Sequence, residues 1–183
     1  MKRIKEILIC ALALMVISGA VTAALAGTNA LTKGEIQRQN DETANAARLE
    51  VMKADTFEKA EITLDGEKTE YYKAIMNGAV TGYVFTAEAA GKSAGLTVMT
   101  GISKEGKITG VKVTEQNETA GYVDKVIKSG FLAAFEGKDA VEVKLGGQVD
   151  AVSQATKTSS GICKAVNKAI AAYQAVKEGT PIG

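Results

Sequence analysis

A chain of 183 residues with 46% apolar residues, 19 glycines and one proline has the composition of one compact domain with at most one extra element. That excludes a disordered chain, a collagen-like repeat and a multidomain enzyme. It has no histidine and two cysteines, Cys10 and Cys163, against a net charge of +1. Histidine-based triads, His-containing zinc sites, disulfide frameworks and four-thiolate clusters are therefore excluded, and any redox chemistry has to come from an organic cofactor.

The first element is a membrane segment. Lys2, Arg3 and Lys5 precede an uncharged run from Ile7 to Leu25, close to the roughly 20 apolar residues that cross a bilayer as a helix. It reads either as a retained anchor or as a secretory signal with its cleavage site at Ala24-Leu25-Ala26. Both readings keep the basic residues in the cytoplasm and place everything after Gly27 on the outer face. Cys10 has Leu8-Ile9 before it and no small neighbour, which argues against lipidation. Setting aside Lys2, Arg3, Lys5 and Glu6 leaves 19 basic and 20 acidic residues of the 22 and 21 in the whole chain. No basic stripe is available for nucleic acid.

Thr32-Lys33-Gly34-Glu35 has capping-box spacing and predicts a helix from there to about Met52. From Phe57 the pattern changes to short strands, Ala60–Leu64, Tyr71–Met76, Ala79–Ala87, Leu96–Ile102 and Lys107–Thr114, divided by turns at Asp65-Gly66, Asn77-Gly78 and Glu105-Gly106. These form an antiparallel meander. Tyr122–Phe135 reads as a helix interrupted at Ser129-Gly130, and Ala140–Leu145 as a further strand. Ile162, Ala165, Val166, Ala169, Ile170, Tyr173 and Val176 recur at the spacing of an amphipathic helix that packs on the sheet. Tyr71, Phe131, Phe135 and Cys163 read as core. The fold class is α+β, an antiparallel sheet packed with helices and preceded by one N-terminal transmembrane helix. The organisation is an anchor over 1–27, a helical linker over 28–56 and a domain over 57–183.

Chemistry concentrates before the last helix, in Asp150-Ala151-Val152-Ser153-Gln154-Ala155-Thr156-Lys157-Thr158-Ser159-Ser160-Gly161. Hydroxyls opening onto a helix start offer donors and the positive end of the dipole at one point, which suits a phosphate. The same cluster also serves as a simple N-cap.

The spacing Asp150-x-x-Ser153-x-Ala155-Thr156-x-Thr158 resembles the D-x-x-S/T-G-A-T-x-S/T signature of FMN-binding domains. That family includes the G subunit of Rnf electron-transport complexes and the C subunit of the sodium-translocating NADH:quinone reductase. Gln154 stands where the family has glycine. Glu115 to Tyr122 resembles the family's E-T-P-G-L-G loop, with Ala120 for proline and Tyr122 for leucine. Gly91 to Ile102 resembles its glycine-rich G-Y-G-G-P-I segment, with Lys92 where tyrosine is common.

The resemblance implies FMN joined by a phosphoester to Thr156, with Ser153, Ala155, Thr158 and Ser159 around the attachment point. It implies that Glu118, Thr119, Gly121, Tyr122, Gly95 and Leu96 lie near the flavin, and that Asp150 belongs to recognition by a flavin transferase that uses FAD as donor. The implied function is a membrane-anchored subunit that relays electrons among the other subunits of an Rnf-type ferredoxin:NAD ion-translocating complex, with no complete active site of its own. Two other readings stand beside it: a freestanding extracellular FMN-binding electron carrier, and an exported non-redox binding domain.

Overall fold

The computed structural model describes residues 2–64, 66–92, 95–116 and 121–179. The chain divides into two compact units, Met1–Ala44 and Asn45–Gly183.

In the first unit the chain is helical throughout its described residues, as part of helix α1 (Lys2–Val51). The stretch Leu14–Glu35, with mean hydropathy 1.6, is long and apolar enough to cross a membrane. Leu14, Met15, Val16, Ile17, Val21 and Leu25 are all exposed, so the helix is apolar around its circumference, as a span requires. The helix start expected at Thr32 is absent. A cap needs the preceding residues to leave the helix, and here they continue it; the Thr32 hydroxyl instead donates 2.9 Å to the Thr28 carbonyl one turn back.

The second unit is built on five strands, β1 (Thr56–Leu64), β2 (Glu67–Met76), β3 (Ala79–Ala89), β4 (Leu96–Ser103) and β5 (Ile108–Gln116). They run in the order β1-β2-β3-β4-β5, every neighbouring pair antiparallel, so the expected meander is present. β2 and β3 join through Asn77 (φ 52°) and Gly78 (φ 76°), the left-handed pair that matches strand twist in a two-residue hairpin. β1 and β2 begin four residues before the apolar patterns did, because exposed Lys and Glu residues pair across the hairpin at its solvent side, as in Lys59–Glu70 at 2.7 Å.

One face of the sheet carries helix α3 (Thr156–Glu178), whose Ile162, Val166, Ala169, Ile170 and Tyr173 pack with Tyr71, Phe85, Val98 and Ile102. Helix α2 (Tyr122–Lys128) and a single 3-10 turn at Ala133–Phe135 add Val123, Val126, Phe131 and Phe135 to this core. The break between them falls at Ser129-Gly130, where Gly130 has φ 76°.

Ala140–Leu145 is not a strand. The Val143 N–H donates to Asn167 Oδ1 at 2.8 Å, and the Val143 carbonyl accepts from Asn167 Nδ2 and Cys163 Sγ. Side chains of α3 thus satisfy backbone groups that a neighbouring strand would otherwise pair.

The opposite face is covered by the end of α1, where Ala47, Val51 and Met52 pack on Ala74, Val84 and Met99. Their approach depends on glycines in three strands. A Cβ on Gly110 would stand 2.8 Å from Val51 Cα, and one on Gly82 would stand 2.6 Å from the Ile102 carbonyl oxygen and 2.5 Å from Met52 Cε. One on Gly101 would overlap the Val51 carbonyl. Thr109 Oγ1 donates to that carbonyl at 2.6 Å, and the Arg48 guanidinium lies 3.5 Å over the Tyr72 ring. The folded domain therefore includes residues 45–56, which the sequence assigned to a linker.

Candidate cofactor site at the start of helix α3

The hydroxyl-rich motif leads directly into α3. The sequence placed the helix start after the motif, near Ile162, whereas Thr156 is the first helical residue. The first turn is hidden from an apolar pattern because its buried positions are filled by Thr158 and Ser159, both fully buried. The Ser159 hydroxyl accepts the Val152 N–H at 3.2 Å and donates to the Ala155 carbonyl at 3.1 Å, tying the motif back onto the helix. Ala155, itself buried, holds the N-cap position without a side-chain cap. Helix starts leave their first N–H groups without intrahelical acceptors and carry the positive end of the dipole.

Thr156 is exposed and faces a cleft of about 280 Å³ lined by Lys92, Tyr122, Gln154, Ala155, Thr156, Lys157 and Thr158. Small-molecule sites run from roughly 300 Å³ upward. This cleft therefore stands at the lower end of that range.

Two walls meet there. On one, the loop between β3 and β4 lies directly on α3: a Cβ on Gly161 would stand 2.8 Å from Gly91 Cα and 3.0 Å from the Ala90 carbonyl oxygen. That contact delivers Lys92, whose Nζ donates 2.9 Å to the Tyr122 hydroxyl and lies 4.0 Å from its ring centroid. The hydrogen bond from Lys92 holds the Tyr122 phenol below its ordinary pKa. On the other wall, Gln154 has φ 63°, and its Oε1 accepts from Lys125 Nζ at 2.7 Å. A left-handed conformation explains why glycine suits this position, and the Lys125 contact anchors the glutamine that replaces it.

The donor set suits an anion. The described lining residues include two cations, Lys92 and Lys157, and no carboxylate.

The other expected residues fall in different places. Gly121 (φ 88°) is the N-cap of α2, which sets Tyr122 at the cleft. Gly95 has φ 92° at the entry to β4, and Leu96 is fully buried in the core, so Leu96 supports the sheet under the site and offers no surface to a ligand. Asp150 and Ser153 line a separate, shallower groove of about 600 Å³ with Ser129, Phe131, Lys138 and Gln148. Glu118 and Thr119 lie outside the described residues. Sequence reasoning missed Lys92, Lys125, Lys157 and Gly161 as parts of the site. Lys92 and Lys157 lie within segments the sequence had singled out, and Gly161 carried a signal as a glycine inside the first turns of a helix, whereas Lys125 carried none.

Comparison with known proteins assigns the chain to a family. The FMN-binding domain model matches residues 91–171, from the Gly91 loop through the motif and most of α3. The G subunit of the Na(+)-translocating ferredoxin:NAD(+) oxidoreductase complex of Acetobacterium woodii is 36% identical, over 89% of this chain and 89% of that protein. The chain belongs to the G-subunit family of ion-translocating oxidoreductase complexes. The family's member in Methanosarcina acetivorans, the G subunit of its ion-translocating oxidoreductase complex, is 31% identical, over 96% of this chain and 98% of that protein. Among solved structures, Shewanella oneidensis NqrC aligns over 67% of each chain at 22% identity with a TM-score of 0.45.

Proposed function

We propose that this chain is the flavoprotein subunit of an ion-translocating ferredoxin:NAD oxidoreductase complex, held at the outer face of the cytoplasmic membrane by its N-terminal helix and carrying FMN as a phosphoester on Thr156. The observation that carries the proposal is the exposed Thr156 hydroxyl at the uncapped start of α3, inside a cleft whose described charges are cationic. Family membership and the matched FMN-binding domain support it.

The chain's residues divide the work. The first N–H groups of α3 and Lys157 would hold the negative phosphate. Tyr122 and Lys92 would line one side of the site for the ring, and Gln154, held by Lys125, stands at the cleft's other rim. When bound, the flavin supplies one- and two-electron chemistry, while the protein sets its orientation and potential. Thr156 needs outside help to be modified, because a threonine hydroxyl is a weak nucleophile without a base and neither histidine nor carboxylate lines the described cleft. In the reaction with a flavin transferase, the Thr156 Oγ–phosphorus bond forms as the pyrophosphate bond of FAD breaks. AMP leaves, and the hydroxyl proton passes to a base of the transferase. The groove at Asp150 and Ser153 offers the transferase a hold on the motif that leaves the cleft free.

Co-expression of the full chain with a matching transferase should add the mass of one FMN less one water, in an adduct that survives denaturation. Thr156→Val keeps the shape and removes the hydroxyl, so the adduct should disappear. Covalent flavin on the Thr156→Val chain would refute the assignment. So would an unmodified wild-type chain alongside a labelled Gln154→Gly variant.

A further inference from the structure

The phosphate end of the cleft is accounted for by the start of α3 and Lys157, but Lys92 is not. It comes from a different element, the loop after β3, and the close packing of Gly91 on Gly161 points that loop at the cleft. Its described partner is neutral, a phenol at 2.9 Å whose ring lies beneath the ammonium at 4.0 Å. Among the described residues no carboxylate forms an ion pair with Lys92 and none lines the cleft. Among the described residues Lys92 is thus an oriented cation without a counter-ion, an arrangement that favours an anion arriving with the ligand.

We propose that Lys92, oriented by Tyr122, sets the redox potential of the cofactor by holding the negative charge that the flavin ring gains on reduction. This rests on the flavin reading of the cleft. A ring that takes two electrons from a neighbouring redox protein and one proton from water carries one more negative charge than before, and a fixed cation nearby favours that form. The hydrogen bond from Lys92, and after it the charge of Lys92, lowers the Tyr122 phenol, which lines the same cleft. Lys92 is exposed at the rim, so the effect is moderated by solvent and salt.

The test uses the full-length chain flavinylated by co-expression, with covalent flavin followed by mass and the midpoint potential measured by dithionite titration. Lys92→Met should keep the flavin mass while the oxidised-to-reduced ratio at a fixed potential rises about tenfold, a fall of about 30 mV for a two-electron couple. Lys92→Arg should restore most of the shift, and Tyr122→Phe should give part of it by releasing the amine. An unchanged midpoint in flavinylated Lys92→Met overturns the proposal. An arginine variant as low as the methionine one also overturns it, since that result marks a packing role. Loss of attachment in Lys92→Met alone assigns the lysine to modification and overturns the tuning role. A wild-type chain without covalent flavin overturns the reading beneath as well, and the mass measurement tells that failure apart from the others.

Discussion

Residues 45–56 should be required for the domain to fold, although the sequence presents them as a linker. Val51 and Met52 are buried against Ala74, Val84 and Met99, and Thr109 donates a hydrogen bond to the Val51 carbonyl. Burying side chains of this size is worth about 1.5–3 kcal/mol each, and the hydrogen bond adds about 1 kcal/mol. A chain starting at Phe57 therefore loses about 4–7 kcal/mol and exposes the apolar face that the segment covered. Domains are stable by only about 5–15 kcal/mol, so the loss takes from about a quarter to all of the total. Two soluble forms, one starting at Asn45 and one at Phe57, can be compared by circular dichroism melts. The longer form should unfold cooperatively, and the shorter should be unfolded or melt about 15 °C or more below it. Gly110→Ala in the longer form should show part of the loss, about 1–3 kcal/mol, because its Cβ would stand 2.8 Å from Val51 Cα. A short form melting within about 3 °C of the long one would refute the argument that the end of α1 is part of the core.

Two further outcomes follow from the site and its core. Gln154→Gly removes a left-handed non-glycine residue at a cost of roughly 1–2 kcal/mol to the native chain, and also removes the Lys125 contact. Its melting temperature should rise slightly or hold and its flavinylation should proceed at least as fast, which timed mass spectra during co-expression would check; slower modification would show that the glutamine is needed. Burial pushes the Tyr71 and Tyr173 phenols up, whereas the bond from Lys92 lowers Tyr122. In an ultraviolet titration Tyr122 should therefore ionise before Tyr71 and Tyr173. With folded values raised above the unfolded one, the buried pair contributes stability that is present below about pH 10 and is lost as pH rises through their folded values. A Lys92→Met chain whose first phenol titrates unchanged would count against the Lys92–Tyr122 contact.

The sequence by itself determined the elements whose signals are local. The uncharged run after Lys2, Arg3 and Lys5 marks, through composition alone, a helix long and apolar enough to cross a membrane, and the strand and turn alternation from Phe57 is read from period and from turn residues such as Asn77-Gly78. The motif around Thr156 is likewise contiguous, so its resemblance to FMN-binding domains was legible, and with it the family. Tertiary structure decided what depends on residues far apart in the chain. Ala140–Leu145 has the pattern of a strand, but Asn167 and Cys163 take up the hydrogen bonds at Val143. Residues 45–52 look like a polar helix until Gly82, Gly101 and Gly110, spread over three strands, make a floor for Val51 and Met52. Lys92 lies 64 positions before Thr156. Only the packing of Gly91 on Gly161 brings the lysine to the cleft, because a backbone contact of that kind leaves no periodic trace in the chain.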